Sequence, residues 1–429
     1  MPHHASEDGP RRRRRATLAA IVGTTVGVTA ALALGDVLPG GRPGVDPTVP
    51  DGGPAASSSA PSPSPTPLPA TFTLLAAGDV LPHGPVVDSA GGDADPDFSP
   101  LLAGIDPWVQ GADLALCHLE VPVAPKGTPP SGYPLFGAPP GLVRDLREQG
   151  WDGCSTASNH SVDRGYAGVQ ATLRRLDAAG MGHVGTARSA AEQDAPQLYV
   201  LRRADRDVTV AHLAAAYGLN GLAMPSDAPW AVDLIDADRL IAQAKEAREA
   251  GADVVVVSLH AGVEYTEVLT EQQEEVVRRL ARSREVDLVI GHHAHVPQRI
   301  DRVGKGPGGH GMWVAYGLGN LLSNQSADCC DARTNNGVLL TATFTQRAPD
   351  AATRVTDVRW TGTTVDIAAG HRVHALPDVL DDPGSTTLSA AELRARQDRV
   401  REAVGDVARQ RRQPPATSGP PPEVVHRDG

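Results

Sequence analysis

Val286-Asp287-Leu288-Val289-Ile290-Gly291-His292-His293-Ala294-His295 decides how this chain folds. A short apolar run rich in β-branched residues reads as a buried strand, and it stops abruptly in histidines. Three other runs end the same way: Thr71 to Gly78 before Asp79, Gly153 to Ala157 before Asn159-His160, and Val254 to Leu259 before His260. In an α/β sheet, the residues just beyond the carboxyl ends of strands form the site. Four strand ends carrying oxygen and nitrogen donors therefore predict one metal site assembled from distant parts of the chain.

Working outward, helical spacing recurs at Gly141 to Gln149, Gly168 to Ala179, Asp236 to Ala250 and Glu271 to Arg284, each followed by a polar break and a strand. That alternation predicts an α/β class. Leu198 to Arg202 and Val208 to Leu213, joined by Ala204-Asp205-Arg206-Asp207, read instead as a hairpin, so the sheets should be mixed.

The ends differ in kind. Arg11 to Arg15 precede an uncharged segment from Ala16 to Leu34, long enough to cross a bilayer with its basic side in the cytoplasm. Residues 1–38 are thus read as a basic stub plus signal-anchor, with cleavage after Ala33 as the alternative, and the bulk of the chain outside the cell. Residues 39–70, rich in Pro, Ser and Gly, read as a disordered spacer. The main domain is placed at 71–388, a charged helix at 389–412 and a disordered Pro-rich tail at 413–429. With 51 acidic and 39 basic residues, a net charge of −12, the chain offers no basic stripe for nucleic acid. Cys117 and Cys154 sit in predicted neighbouring strands, as free thiols or as one bridge, and Cys329-Cys330 could clamp a polar loop.

In His293-Ala294-His295, an extended backbone would set both imidazoles on one face. Mixed oxygen and nitrogen donors suit manganese, zinc or iron, and a bridging carboxylate would allow two ions about 3.5–4 Å apart. Glu120, ending the run from Ala112 to Leu119, is the candidate bridge. One or two divalent transition-metal ions are expected.

Seven blocks carry a family resemblance: Gly78 to Leu81, Leu119 to Pro122, Phe136 to Pro140, Ala157 to Gly165, His260 to Tyr265, Gly291 to Val296 and Tyr316 to Asn320. Together they resemble the CapA family, a capsule-synthesis family associated with poly-γ-glutamate whose domain is similar to calcineurin-like metallophosphoesterases. The resemblance implies a four-layer α/β/β/α sandwich of metallo-dependent phosphatase type. It implies Asp79 and His295 on one ion, Glu120 as bridge, and Asn159, His260 and His293 on the second. His160 would protonate or stabilise a leaving oxygen, while Glu264, Tyr265 and Asn320 would contact substrate.

Two positions depart from that pattern. Leu81 stands where metallophosphoesterases usually have a histidine, which weakens the first ion site; His83 is either its substitute or a surface residue. Ser158 replaces a second Asn and should alter a hydrogen bond more than a ligand. His118, His183, His212, His292 and His310 are taken as structural or exposed. The chain is expected to be a membrane-tethered hydrolase-like domain acting on or handling an anionic envelope polymer such as poly-γ-glutamate. The alternative is a non-catalytic polyanion-binding module or accessory subunit of a synthesis and export complex.

Overall fold

A computed structural model describes residues 67–92 and 95–427. The predicted anchor and most of the spacer lie outside these residues. Among the described residues no helix is long and apolar enough to cross a membrane.

Among the described residues there are sixteen strands: β1 (Ala70–Val80), β2 (Leu114–Leu119), β3 (Gly153–Ser155), β4 (Gly182–Val184), β5 (Gln197–Arg203), β6 (Arg206–Ala216), β7 (Val254–His260), β8 (Leu288–His292), β9 (Ile300–Val303), β10 (Met312–Ala315), β11 (Asn320–Leu322), β12 (Asn336–Gln346), β13 (Arg354–Asp366), β14 (Arg372–Ala375), β15 (Arg409–Gln410) and β16 (Glu423–Val425). They form two sheets. The first runs β14-β13-β12-β1-β2-β3-β4, with β11 beside β1 and β15 beside β13; the second runs β16-β5-β6-β7-β8-β10-β9.

The two-residue period of a strand sorts the side chains into layers. Leu74, Ala76, Leu114 and Leu116 of the first sheet meet Val208, Val210, Val254, Val256, Leu288 and Ile290 of the second in one core. Their neighbours Leu75, Ala77, Ala115 and Cys117 face the other way, onto helices Gly141–Gln149 and Gly165–Ala178. On the far side, Ala211, Leu213, Val255, Val257 and Val289 pack under helices Ala237–Glu249 and Glu271–Ser283. This is the expected α/β/β/α sandwich.

The helix ends are set by local chemistry. Asp236 accepts from the backbone N–H groups of Asp238 and Arg239, Thr270 and Gln273 form a reciprocal capping box, and Gly150 closes its helix at φ 118°. The predicted hairpin is β5–β6, turned by Ala204 and Asp205 at φ 49° and 59°. Cys117 and Cys154, partners in the β2–β3 register, are bridged, as are Cys329 and Cys330.

The carboxyl end differs from expectation. The helix covers only Ala390–Val404 and stops at Gly405, φ 73°. Beyond it the chain lies against the body: β15 pairs with β13, and β16 adds to the edge of β5. Between them the Ser418 N–H donates to Asp113, which also pairs with Arg203 at 2.8 Å. Arg427 is buried and donates to the carbonyls of His183 and Glu192. An open strand edge and a buried carboxylate both need partners, and those needs outweigh the low apolar content that suggested disorder.

Candidate metal centre

The parallel strands β1, β2, β3, β7 and β8 end at one edge, where the two sheets bring their carboxyl ends together. Asp79 lies near the end of β1. Gly78 lets it approach β11, since a Cβ there would stand 2.1 Å from the Gly319 carbonyl oxygen.

All six residues expected to ligate metal converge at this edge, each buried. Asp79 Oδ2 is 3.2 Å from His295 Nδ1, and His295 Nε2 is 3.7 Å from Glu120 Oε1. On the other side His260 Nε2 is 3.8 Å from Glu120 Oε1 and 2.8 Å from Asn159 Oδ1. The His293 ring stands 4.8 Å from that of His260. Glu120 is therefore central, with an imidazole on either side.

His293 and His295 reach the centre differently from expectation. Their backbone is not extended: φ is 88° and 56°, in the left-handed region. Asn220 and Tyr265, beside them in the site, also have positive φ. Non-glycine residues held there store conformational strain, and such strain gathers at functional sites.

Electrostatics give the cluster its character. Burial pushes the Glu120 carboxyl well above the usual carboxylate range. Burial also opposes ionisation of Asp79, yet hydrogen bonds from His292 and His295 hold it well below that range. The His295 imidazole, lowered by burial but raised more by Glu120 and Asp79, stands at about 9. His293 is driven down to about 3 by burial, and His260 well below its ordinary value by the same cause. His295 thus carries its proton near neutral pH, beside two neutral imidazoles.

The donor set fits a divalent cation. Both oxygens of Glu120 and Nδ1 of His293 are buried without any hydrogen-bond partner, which is costly unless a charge satisfies them. Two buried groups of three have donor atoms within 4.8 Å of one another: Asp79, His118 and His260, and Glu120, His293 and His295.

Sequence reasoning missed His118 as a contributor. It is fully buried, with Nδ1 2.8 Å from Ser155 Oγ and Nε2 2.9 Å from His260 Nδ1. Both its nitrogens are thereby engaged, and it holds His260 in place. It stacks on His292 at 3.9 Å, and His292 Nδ1 is 3.1 Å from Asp79 Oδ1. A histidine inside a strand gives no sequence signal of this kind.

His160 faces a cavity of about 670 Å³ above the cluster. Its Nδ1 lies 2.7 Å from Asp163 Oδ2, which also accepts from the Phe136 N–H. Nε2 is left toward the cavity, 3.5 Å from the amide of Asn220. Glu264 and Tyr265 line that cavity. Asn320 does not: it is buried below the site, its amide bonded to Gln325 and Thr334 and its oxygen 3.1 Å from His295 Nδ1. It supports His295 and does not reach the rim. Leu81 is buried in the cavity wall. His83 is neither of its expected alternatives; half-buried, it bonds the Leu81 carbonyl, packs edge-on to Phe136 and lines the cavity. Ser158 donates to the Glu120 carbonyl and accepts from the His160 N–H, a hydrogen-bonding role.

Residues 73–325 match the family described as bacterial capsule synthesis protein PGA_cap. The chain is 27% identical over 188 residues to the capsule biosynthesis protein CapA of Bacillus anthracis, 43% of either chain. It is 27% identical over 184 residues to the PGA biosynthesis protein CapA of Bacillus subtilis (strain 168), 43% of this chain and 45% of that one. Each match spans less than half of the relative's own length. Two solved structures are similar in fold: NAD nucleotidase of Haemophilus influenzae, at 11% identity, covering 81% of this chain and 58% of that one, TM-score 0.43; and the calcineurin-like phosphoesterase YfkN of Bacillus subtilis, at 13% identity, covering 77% and 97%, TM-score 0.42. Likeness at those levels says nothing of chemistry.

Proposed function

This chain belongs to the bacterial capsule synthesis family PGA_cap, and from that premise we propose that it is a metal-dependent, hydrolase-like domain acting on an anionic cell-envelope polymer. One observation carries the proposal: the Glu120 carboxylate is buried, with no hydrogen bond from the described residues, between His260 and His295, and His295 in turn lines a cavity into which His160 faces. Asp79 and His295 would hold one ion, Asn159, His260 and His293 a second, with Glu120 between them. A divalent ion at this set supplies positive charge against an anionic group and lowers the pKa of water.

The chain's own residues do the rest. Asp163 holds the Nδ1 proton of His160 and fixes the ring, so that Nε2 can deliver a proton to a leaving oxygen. Tyr217 packs against the His293 ring at 4.5 Å and closes that side of the centre. The basic stub and apolar segment from Arg11 to Leu34, followed by a Pro-rich spacer, support attachment to the membrane with the domain outside the cell.

Hydrolysis of bis-(p-nitrophenyl) phosphate with added manganese tests the reading. His160→Ala should lower the rate by about 10²–10⁴. A second reading, a polyanion-binding accessory subunit without turnover, is favoured by Leu81, an apolar side chain where a nitrogen ligand would complete the first ion site. Wild-type protein that binds manganese yet turns over no faster than the His160→Ala variant would establish it.

A further inference from the structure

We propose that the unit seated in the cavity beside His160 is an uncharged sugar ring carrying a single anionic group, so that the polymer handled is a glycan with spaced phosphoryl or carboxyl groups and not a dense polycarboxylate. This rests on the metal-centre reading above and narrows its substrate.

Size and charge set the first limits. A cavity of about 670 Å³ lies in the range that holds a whole small-molecule ligand, far beyond one phosphate or carboxylate. Among the described residues no lysine or arginine lines it, whereas Glu264 does. Outside the metal cluster, then, the described wall offers a second anionic group no fixed cation, and the Glu264 carboxylate to repel it. Like-charge placement of that kind rejects a ligand with closely repeated charges.

The same wall suits a ring. Tyr133, Leu135 and Leu222 are 80%, 48% and 40% exposed at the mouth, large apolar surfaces that no part of the described chain covers. Tyr133 stands nearly perpendicular to Phe136, with centroids 6.4 Å apart, and its exposure leaves ring surface available. The C–H face of a pyranose packs on such an aromatic ring, and its hydroxyls donate to a carboxylate such as Glu264. An apolar platform with a few acceptors is what an uncharged polyol recognises, and the cluster, reached through His295 in the cavity wall, takes its one anionic substituent.

The test is calorimetric titration of full-length, manganese-loaded protein with glucose 1-phosphate, inorganic phosphate and tri-γ-glutamate, and of metal-free protein with methyl glucoside. Glucose 1-phosphate should bind at least tenfold more tightly than either other anion. Tyr133→Ala, at a surface position that does not support the core, should remove most of that advantage while leaving phosphate binding unchanged, and should abolish methyl glucoside binding. Tri-γ-glutamate binding as tightly as glucose 1-phosphate, or methyl glucoside binding unaltered in Tyr133→Ala, would overturn the inference. Failure of manganese or phosphate to bind would instead count against the metal centre, with the methyl glucoside arm still deciding the sugar subsite.

Discussion

Replacing Glu120 by Gln should make the metal-free protein more stable and the metal-loaded protein less so. Glu120 is fully buried, both its oxygens lack hydrogen bonds, and its nearest imidazole nitrogens stand 3.7 and 3.8 Å away. Its folded-state pKa lies above the unfolded value of about 4.3. Its contribution is therefore fully present below about pH 4.3 and is lost as pH rises toward the folded value, because folding across that range takes up a proton. An amide of the same shape has no proton to take up, and each unit by which burial raises the carboxyl is worth about 1.4 kcal/mol. The variant should gain about that much at pH 7 in the presence of chelator. Added manganese then reverses the order, since a ligand at a thousand times its Kd stabilises the native state by about 4 kcal/mol, and the variant lacks the central carboxylate. Denaturant midpoints, read from the fluorescence of the buried Trp108 and Trp151, give both numbers. A variant less stable than wild type in chelator, with an equal response to manganese, would refute the reasoning.

Three further outcomes are expected. His118→Ala, by releasing His260 Nδ1, should weaken manganese binding about 10–100-fold in a competition titration, and Ser155→Ala should do so to a smaller degree. Manganese affinity should rise with pH up to about 9: His295 stands at about 9, it can offer a lone pair only when neutral, and each unit below that value lowers the apparent affinity about tenfold if one proton is displaced. Titrations in buffers of different ionisation enthalpy will show the released proton. Removing residues 413–429 should strip the β5 edge and leave Asp113 without its Ser418 contacts; the expected loss is several kcal/mol, with soluble aggregation on size-exclusion chromatography.

The strand ends were legible because chemistry interrupts periodicity there. Val254–His260 and Val286 to His295 announce both a strand and what it delivers, so the α/β class and its ligand edge could be placed from the residues, whereas the four-layer sandwich was implied by the family resemblance. His118 could not, because a histidine among Leu116, Cys117 and Leu119 looks like any buried polar residue until β7 brings His260 within 2.9 Å. His293 and His295 were found but their backbone was not, since left-handed φ at non-glycine residues has no sequence signature. Asn320 was assigned outward by its place at a strand end, whereas the Gln325 and Thr334 contacts turn it inward. The tail misled most. Composition measures whether a segment can form its own core, but Ser418, Val424 and Arg427 are held by partners that the rest of the fold leaves unmet.

Whether Asp79, Glu120, Asn159, His260, His293 and His295 form one metal centre is tested most directly by metal content. Inductively coupled plasma mass spectrometry would be run on wild-type protein and on a His293→Ala, His295→Ala double variant after manganese, zinc or iron supplementation. One or two equivalents in the wild type and none retained in the variant is the predicted result. A wild type without transition metal under every supplement, or a variant that keeps its full complement, would contradict it.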